Sequence, residues 1–363
     1  MRPTTRRSAV LAAAAVLLAL VSPPAQAASG SYVALGDSYA SGTGTGRYLG
    51  DGTSCQRSVY AYPALVAASR GLALNFRACS GATTADVAAL QLGALSGATT
   101  HASISVGGND AGFAAVLTEC AKPAWASHCN AAVDRARDVV NGRLPGRLAA
   151  LFSALRGRAP RAEVVVLGYP RIFNGEDCNA FTWFSPAEQA RLNALADLLD
   201  ARLAAAAAEA GLLFRSPVPA FDGHAVCDRP AWLNGLSRPV AESFHPNRAG
   251  HASGQAPLVG SALTGSWVAV SPATVRAAEA SAAPLAARQR RYAAQDRTIT
   301  PQRFAVPDLG SPAIRRAAAR AGVRLSSRAS IDAADRRYSA QQARARGDRA
   351  PRPGREVAGR AER

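Results

Sequence analysis

The chain has 363 residues, 48% of them hydrophobic, with 42 Lys and Arg against 25 Asp and Glu for a net charge of +17. That length allows one large or two modest domains. From Ser271 to Arg363 there are 20 Arg against 8 acidic residues, so the excess charge sits mainly in a tail; the charge invites a nucleic-acid role, but no basic groove interleaved with aromatics is evident and no nucleic-acid partner is expected.

At the N-terminus, Arg2, Arg6 and Arg7 precede an apolar run from Ala9 to Val21, and Pro23-Pro24-Ala25-Gln26-Ala27-Ala28 has the small-x-small form of a cleavage site. Residues 1–27 are therefore predicted to be a signal peptide, since a membrane anchor needs about 20 apolar residues and this run is too short. The Arg6-Arg7 pair leaves Sec and twin-arginine export both open. The mature protein is expected to be secreted and extracellular.

Residues 31–35, apolar and β-branched and closed by Gly36, are predicted as a buried strand whose loop begins at Asp37. Further strands are predicted at 72–76, 102–106, 163–167 and 211–215. Helical patterns fall between them at 61–69, 84–90, 131–155 and 186–210, with Ser185 as N-cap and Pro186 in the first turn of the last, and then at 246–263. This alternation predicts an α/β domain, because parallel strands need crossovers of helical length and the helices then cover both faces of the sheet. In such sheets ligands bind beyond the carboxyl ends of the strands, and Ser38 and Asn109 both follow predicted strands directly.

The stretch 269–363 holds no cysteine and few large apolar residues and is dominated by Ala and Arg. It is predicted to be largely disordered or to form isolated helices, because little apolar surface is available to offset ordering entropy. The amphipathic piece 312–323 suits electrostatic contact with an anionic surface.

Six cysteines follow the leader: Cys55, Cys79, Cys120, Cys129, Cys178 and Cys227. An even number in an exported chain points to disulfides; of fifteen connectivities, neighbour pairing is the simplest. A zinc site from Cys120, His128 and Cys129 is the rival, but no CxxC pair occurs and no metal is expected.

Four segments carry the chemistry. Gly36-Asp37-Ser38-Tyr39 puts a hydroxyl at the tip of a turn after a buried strand. Cys79-Ser80-Gly81-Ala82 offers a backbone N–H with no side chain in the way, and Gly107-Gly108-Asn109-Asp110 offers an amide. Ser243-Phe244-His245-Pro246 supplies an imidazole before a helix. A serine becomes nucleophilic beside a base, and attack on a carbonyl calls for donors aimed at the developing oxyanion. The remaining histidines fit other roles: His101 and His128 structural or exposed, His251 capping or solvated, His224 at the surface or in a cleft. Asp37 and Asp110 fit turns or helix caps. Trp183, Phe184 and Trp232-Leu233 fit either an acyl pocket or the core.

In this order the four segments resemble the GDSL hydrolases, in the branch called SGNH after its Ser, Gly, Asn and His, and most resemble secreted actinobacterial lipases and esterases with three disulfides. The resemblance covers roughly residues 31 to 265. It implies a three-layer α/β/α, flavodoxin-like domain with a five-stranded parallel sheet, placed in residues 28–268. It also implies that Ser38 attacks an ester carbonyl, that His245 takes its proton, and that the backbone N–H groups of Ser38 and Gly81 and the Asn109 amide hold the oxyanion of an acyl-serine pathway without a cofactor. One departure stands out: the family often has Asp three residues before the histidine, where this chain has Glu242. The ring is then oriented either by the Glu242 carboxylate or by a backbone carbonyl from Ser243 or farther away. The expected function is a secreted serine carboxylester hydrolase, a lipase or esterase acting as a monomer on ester or lipid substrates. A phospholipase, a carbohydrate deacetylase and an acyltransferase are alternatives within the family, and a non-catalytic surface-binding protein is the alternative outside it.

Overall fold

A computed structural model describes residues 30–346. The predicted signal peptide and the end of the tail, 347–363, lie outside the described residues. Five parallel strands form one sheet in the order β2-β1-β3-β4-β5: β1 Ser31–Gly36, β2 Ala73–Phe76, β3 His101–Ser105, β4 Glu163–Leu167 and β5 Leu213–Arg215. Val33 lies opposite Asn75 on one side and Ala102 on the other, so the strand order turns back at β1. Such a switch point leaves a crevice at the carboxyl ends of the two central strands.

Alternate residues of each strand face opposite layers, and both layers are apolar. Val33, Leu35, Ile104, Val164 and Val166 pack in one core with the helices Cys129–Gly142, Leu144–Arg158 and Pro186–Glu209. Tyr32, Ala34, Val165 and Leu167 pack in the other with Tyr62–Arg70 and Ala256–Thr264. The result is the three-layer α/β/α arrangement with helices on both faces of a parallel sheet. Among the described residues, no helix is long and apolar enough to cross a membrane.

Local chemistry explains where the elements depart from their predicted spans. The helix predicted at 131–155 is two helices that meet at Arg143, because Pro145 lies in the first turn of the second, where a missing N–H does no harm. Ser185 caps its helix as predicted, its side chain accepting from the Glu188 N–H while Glu188 reaches back. The segment predicted at 84–90 is a short helical turn, Thr84–Asp86, followed by a wide turn, Val87–Gln91. This places the buried Gln91 amide on the backbone of Gly36, accepting at 2.7 Å and donating at 2.9 Å.

The bridges are Cys55–Cys79, Cys120–Cys129 and Cys178–Cys227. Cys120 and Cys129, which a zinc site would need as free thiolates, are thus bonded to each other.

The stretch beyond 268 differs most from expectation. Its described part is helical at Pro272–Ala280, Ala282–Arg290, Pro312–Ala321 and Arg328–Ala345, and it packs on the sheet domain instead of standing apart. The small apolar residues it has are used against the domain's own surface: Ala278 and Leu285 join the second core, and Ile299 and Phe304 join the first. The helix Ala282–Arg290 also covers the free edge of β2. Arg288 donates to the Leu74 carbonyl at 2.7 Å. With its amide turned to satisfy both partners, Gln289 donates to the Phe76 carbonyl at 3.0 Å and accepts from the Phe76 N–H at 3.1 Å. An edge strand treated this way offers no template for pairing.

A buried charge cluster fixes the tail further. Asp296 receives Arg77 at 2.8 and 3.0 Å and Arg57 at 2.5 Å, and Arg57 also reaches Asp51 at 2.7 Å. Arg57, Arg77 and Asp296 have fully buried side chains. Two arginines of the sheet domain therefore take one of their carboxylates from a residue far along the tail.

Candidate active site

The end of β1 sets the first element of the site. Gly36 lies so close to β3 that a side-chain carbon there would fall 2.2 Å from the Ser105 carbonyl oxygen, so only glycine lets the strand turn at this point. The chain then enters a single helical turn, Ser38–Ser41, capped by Asp37, whose carboxylate accepts from the Tyr39 N–H at 3.0 Å. The same carboxylate accepts from the Tyr169 hydroxyl at 2.5 Å, and burial pushes it up to about 7. Asp37 thus holds the turn that presents Ser38, the capping role its position suggests.

The imidazole comes from the loop before the last helix of the sheet domain. Phe244 has a left-handed backbone, φ +61°, a conformation that needs support from its surroundings. Its N–H donates to Asn234 at 3.0 Å, and its carbonyl accepts from the Tyr39 hydroxyl at 2.7 Å. Tyr39 therefore links the serine turn to the histidine loop, and its ring lies 5.2 Å from that of His245.

Ser38 Oγ lies 2.9 Å from His245 Nε2, and His245 Nδ1 lies 2.9 Å from the Ser243 carbonyl oxygen. A carbonyl only accepts, so Nδ1 carries the ring proton and Nε2 is left to accept from the serine hydroxyl. Burial lowers the His245 pKa to about 4, against the opposing pull of the Ser243 carbonyl, so the neutral ring is favoured.

The two groups considered for orienting the ring are separated by this geometry. The Ser243 carbonyl meets Nδ1, whereas the Glu242 carboxylate is buried and accepts from the Tyr48 hydroxyl at 2.7 Å. The Glu242 side chain thus has a partner other than the imidazole.

Of the other two loops, that of Asn109 borders the same crevice. Gly81 has φ +91°, and Asn109 Nδ2 donates to the Ala82 carbonyl at 3.0 Å, which ties the two loops together and leaves the second amide hydrogen uncommitted by that bond. Asp110 accepts from the Thr84 N–H at 2.8 Å and from its hydroxyl at 2.6 Å, a capping role. Beyond Ser38 and Asn109 runs an apolar cleft lined by Phe113, Leu117, Ile172, Leu199, Phe244 and Phe304.

The aromatic residues considered for this lining lie elsewhere. Phe184 is packed between Phe173 and Phe244 in the core, Trp183 donates to Asp332, and Trp232 stacks on His224 at 3.8 Å. Leu233 is buried in the first core. His251, expected as a cap or a solvated group, is fully buried and accepts from the Tyr62 N–H at 3.3 Å. His101 is half-buried against the Thr100 hydroxyl, and the exposed His128 has its backbone N–H on Glu119.

Sequence reasoning missed Tyr39, Tyr169, Gln302 and Phe304. The first sits inside the Gly-Asp-Ser-Tyr block and was within reach. Gln302 and Phe304 come from the tail, where composition gives no sign of them.

Comparison with known proteins places this geometry. The model of the GDSL-like lipase/acylhydrolase family matches residues 34–253. Lipase 1 of Streptomyces coelicolor is 41% identical over 260 residues, covering 70% of this chain and 96% of that protein. The crystal structure of an extracellular lipase from Streptomyces rimosus aligns at 42% identity with a TM-score of 0.60, over 64% of this chain and 99% of that one. That of phospholipase A1 from Streptomyces albidoflavus NA297 aligns at 41% identity with a TM-score of 0.61, over 64% and 98%. A family match over more than half of the chain, joined to lipase relatives of this similarity, makes the chain a member of the GDSL-like lipase/acylhydrolase family and a carboxylic ester hydrolase.

Proposed function

We propose that the chain is a secreted lipase or esterase that cleaves acyl esters through an acyl-serine intermediate. The observation that carries the reading is the 2.9 Å contact between Ser38 Oγ and a His245 Nε2 that is free to accept. Ser38 attacks the ester carbonyl while its proton passes to Nε2, forming a C–O bond and a tetrahedral oxyanion. The oxyanion is held by the N–H groups of Ser38 and Gly81 and by the second amide hydrogen of Asn109. Collapse expels the alcohol, which takes the proton from His245. Water then repeats the sequence on the acyl-serine, with His245 as base, and releases the acid. Ser243 orients the ring through its carbonyl and stabilises the imidazolium that forms.

The substrate class follows from the apolar cleft beside Ser38, which suits an acyl chain. Export is supported by the leader-like segment 1–27, by three disulfides, which persist in oxidising compartments, and by the extracellular relative from S. rimosus. In this reading residues 28–268 are the catalytic unit and the stretch from 269 is an addition to it. A phospholipid substrate is the second reading, favoured by the S. albidoflavus relative.

The test is hydrolysis of p-nitrophenyl acyl esters and phosphatidylcholine by the wild type and by Ser38→Ala. Turnover is expected to fall by several orders of magnitude in the variant. Equal rates would end the proposal.

A further inference from the structure

The segment following Asp296 crosses the mouth of the site. Thr300 and Pro301 lie against Gly81, so that a side-chain carbon on this glycine would sit 2.6 Å from both the Thr300 carbonyl oxygen and Pro301 Cα. Gln302 then donates from Nε2 to the Asn109 carbonyl at 3.0 Å. Phe304 is buried, its ring edge-on to Phe244 at 4.9 Å, and the Ala305 N–H donates to the Thr118 hydroxyl at 2.9 Å. The segment thus spans from one oxyanion-side loop to the other and ends on the helix Phe113–Cys120.

Both Gln302 and Phe304 line the cleft that contains Ser38 and His245. With this wall in place the cleft stays partly open to solvent, and the room left inside it is about 60 Å³. An apolar protein cavity of about 150 Å³ binds benzene, so the room left here is smaller than one known to take a six-carbon ring. That room favours an acyl group of a few carbons over a long chain. The family match ends at residue 253, before this wall begins.

We propose that Gln302 and Phe304 are specificity-determining residues of the ester hydrolysis: they close the acyl pocket with a wall from outside the catalytic unit and restrict it to short acyl groups. The inference rests on the roles proposed for Ser38 and His245. Phe304 supplies the apolar wall. Gln302 fixes the segment to the Asn109 loop, and Asp296, held by two buried arginines, anchors it at its start.

The experiment compares kcat/KM for p-nitrophenyl acetate, butyrate, octanoate and dodecanoate in the wild type, Phe304→Ala, Gln302→Ala and Ser38→Ala. The wild type is expected to favour acetate and butyrate. In Phe304→Ala the ratio of dodecanoate to butyrate is expected to rise tenfold or more, since one methylene more or less in a hydrophobic pocket discriminates by roughly 10 to 200-fold; Gln302→Ala should move it in the same direction by less. Should Phe304→Ala melt below the assay temperature, Phe304→Leu keeps most of the apolar packing while shortening the wall, and the same ratio is expected to move in the same direction by less. A wild type that prefers dodecanoate, an unchanged ratio in both variants, or an equal rise for all four esters would overturn the proposal, the last because it marks a plug and not a selective wall. If Ser38→Ala is inactive and the ratio does not move, only the wall is refuted. If Ser38→Ala matches the wild type on every ester, the reading of the site falls first.

Discussion

Asp296→Asn keeps the shape of a buried side chain and removes its charge, which makes it a direct probe of how firmly the tail is tied to the sheet domain. In the native protein its two carboxylate oxygens receive both Arg77 Nη groups and one from Arg57. Without the charge, Arg57 keeps Asp51, while Arg77 loses its carboxylate partner with its side chain fully buried. Breaking a buried pair from one side costs about 3–5 kcal/mol, because the remaining charge is left uncompensated in a poorly solvating interior. For a chain of this size, roughly 2 °C of melting temperature accompanies each kcal/mol, which gives a fall of about 6–10 °C. Asp197→Asn is the internal control: its partner Arg171 is about half exposed, and such surface pairs contribute about 0–1 kcal/mol. Urea titration and thermal melts without reductant, so that the three bridges stay closed, measure both variants. An Asp296→Asn midpoint indistinguishable from that of Asp197→Asn would refute the argument that the buried cluster holds the tail in place.

Two further outcomes follow from the site. Because burial sets the His245 pKa at about 4, the acid limb of kcat/KM is expected near pH 4: above it Nε2 is neutral and accepts the serine proton, and below it protonation removes the acceptor. At pH 5 such a ring is about 90% neutral, against about 3% for an ordinary histidine; a limb measured near pH 6.5 would contradict the geometry. Glu242→Gln is expected to leave turnover within a few fold, since its carboxylate faces Tyr48 and not the imidazole, and a loss of several orders of magnitude in a steady-state assay would return the orienting role to Glu242.

The sheet was legible where residue type and strand period agree. The strand predicted at 163–167 coincides with Glu163–Leu167, and the other four lie within two residues of their predicted ends, because buried parallel strands read as short apolar runs closed by turn residues. Helix interruptions were less visible: Pro145 breaks the pattern at 131–155, yet the apolar spacing continues across it. For the site, the order of the four blocks singled out Ser38 and His245, which lie 2.9 Å apart, and Asn109, which lines the same cleft, whereas the partner of Nδ1 stayed open between the Glu242 carboxylate and a backbone carbonyl from Ser243 or farther away, because a backbone carbonyl leaves no mark in the residue string. The tail was misread for a related reason. Its composition measures how much apolar surface it owns, not how much the domain offers it, and Leu285, Ile299 and Phe304 suffice when the facing surface is already folded.

The covered edge of β2 and the anchoring of Asp296 also impose a timetable. A polypeptide is made from its N-terminus, so the strands, Ser38 and His245 are all in being before the helix Ala282–Arg290 and the residues after it emerge. During that interval Arg77 has no carboxylate, the backbone of Phe76 is bare, and the cleft lacks the Phe304 side. In this order of synthesis the edge of β2 and the buried Arg77 wait for the last quarter of the chain, so any folding that starts earlier proceeds with that edge open to pairing with other chains.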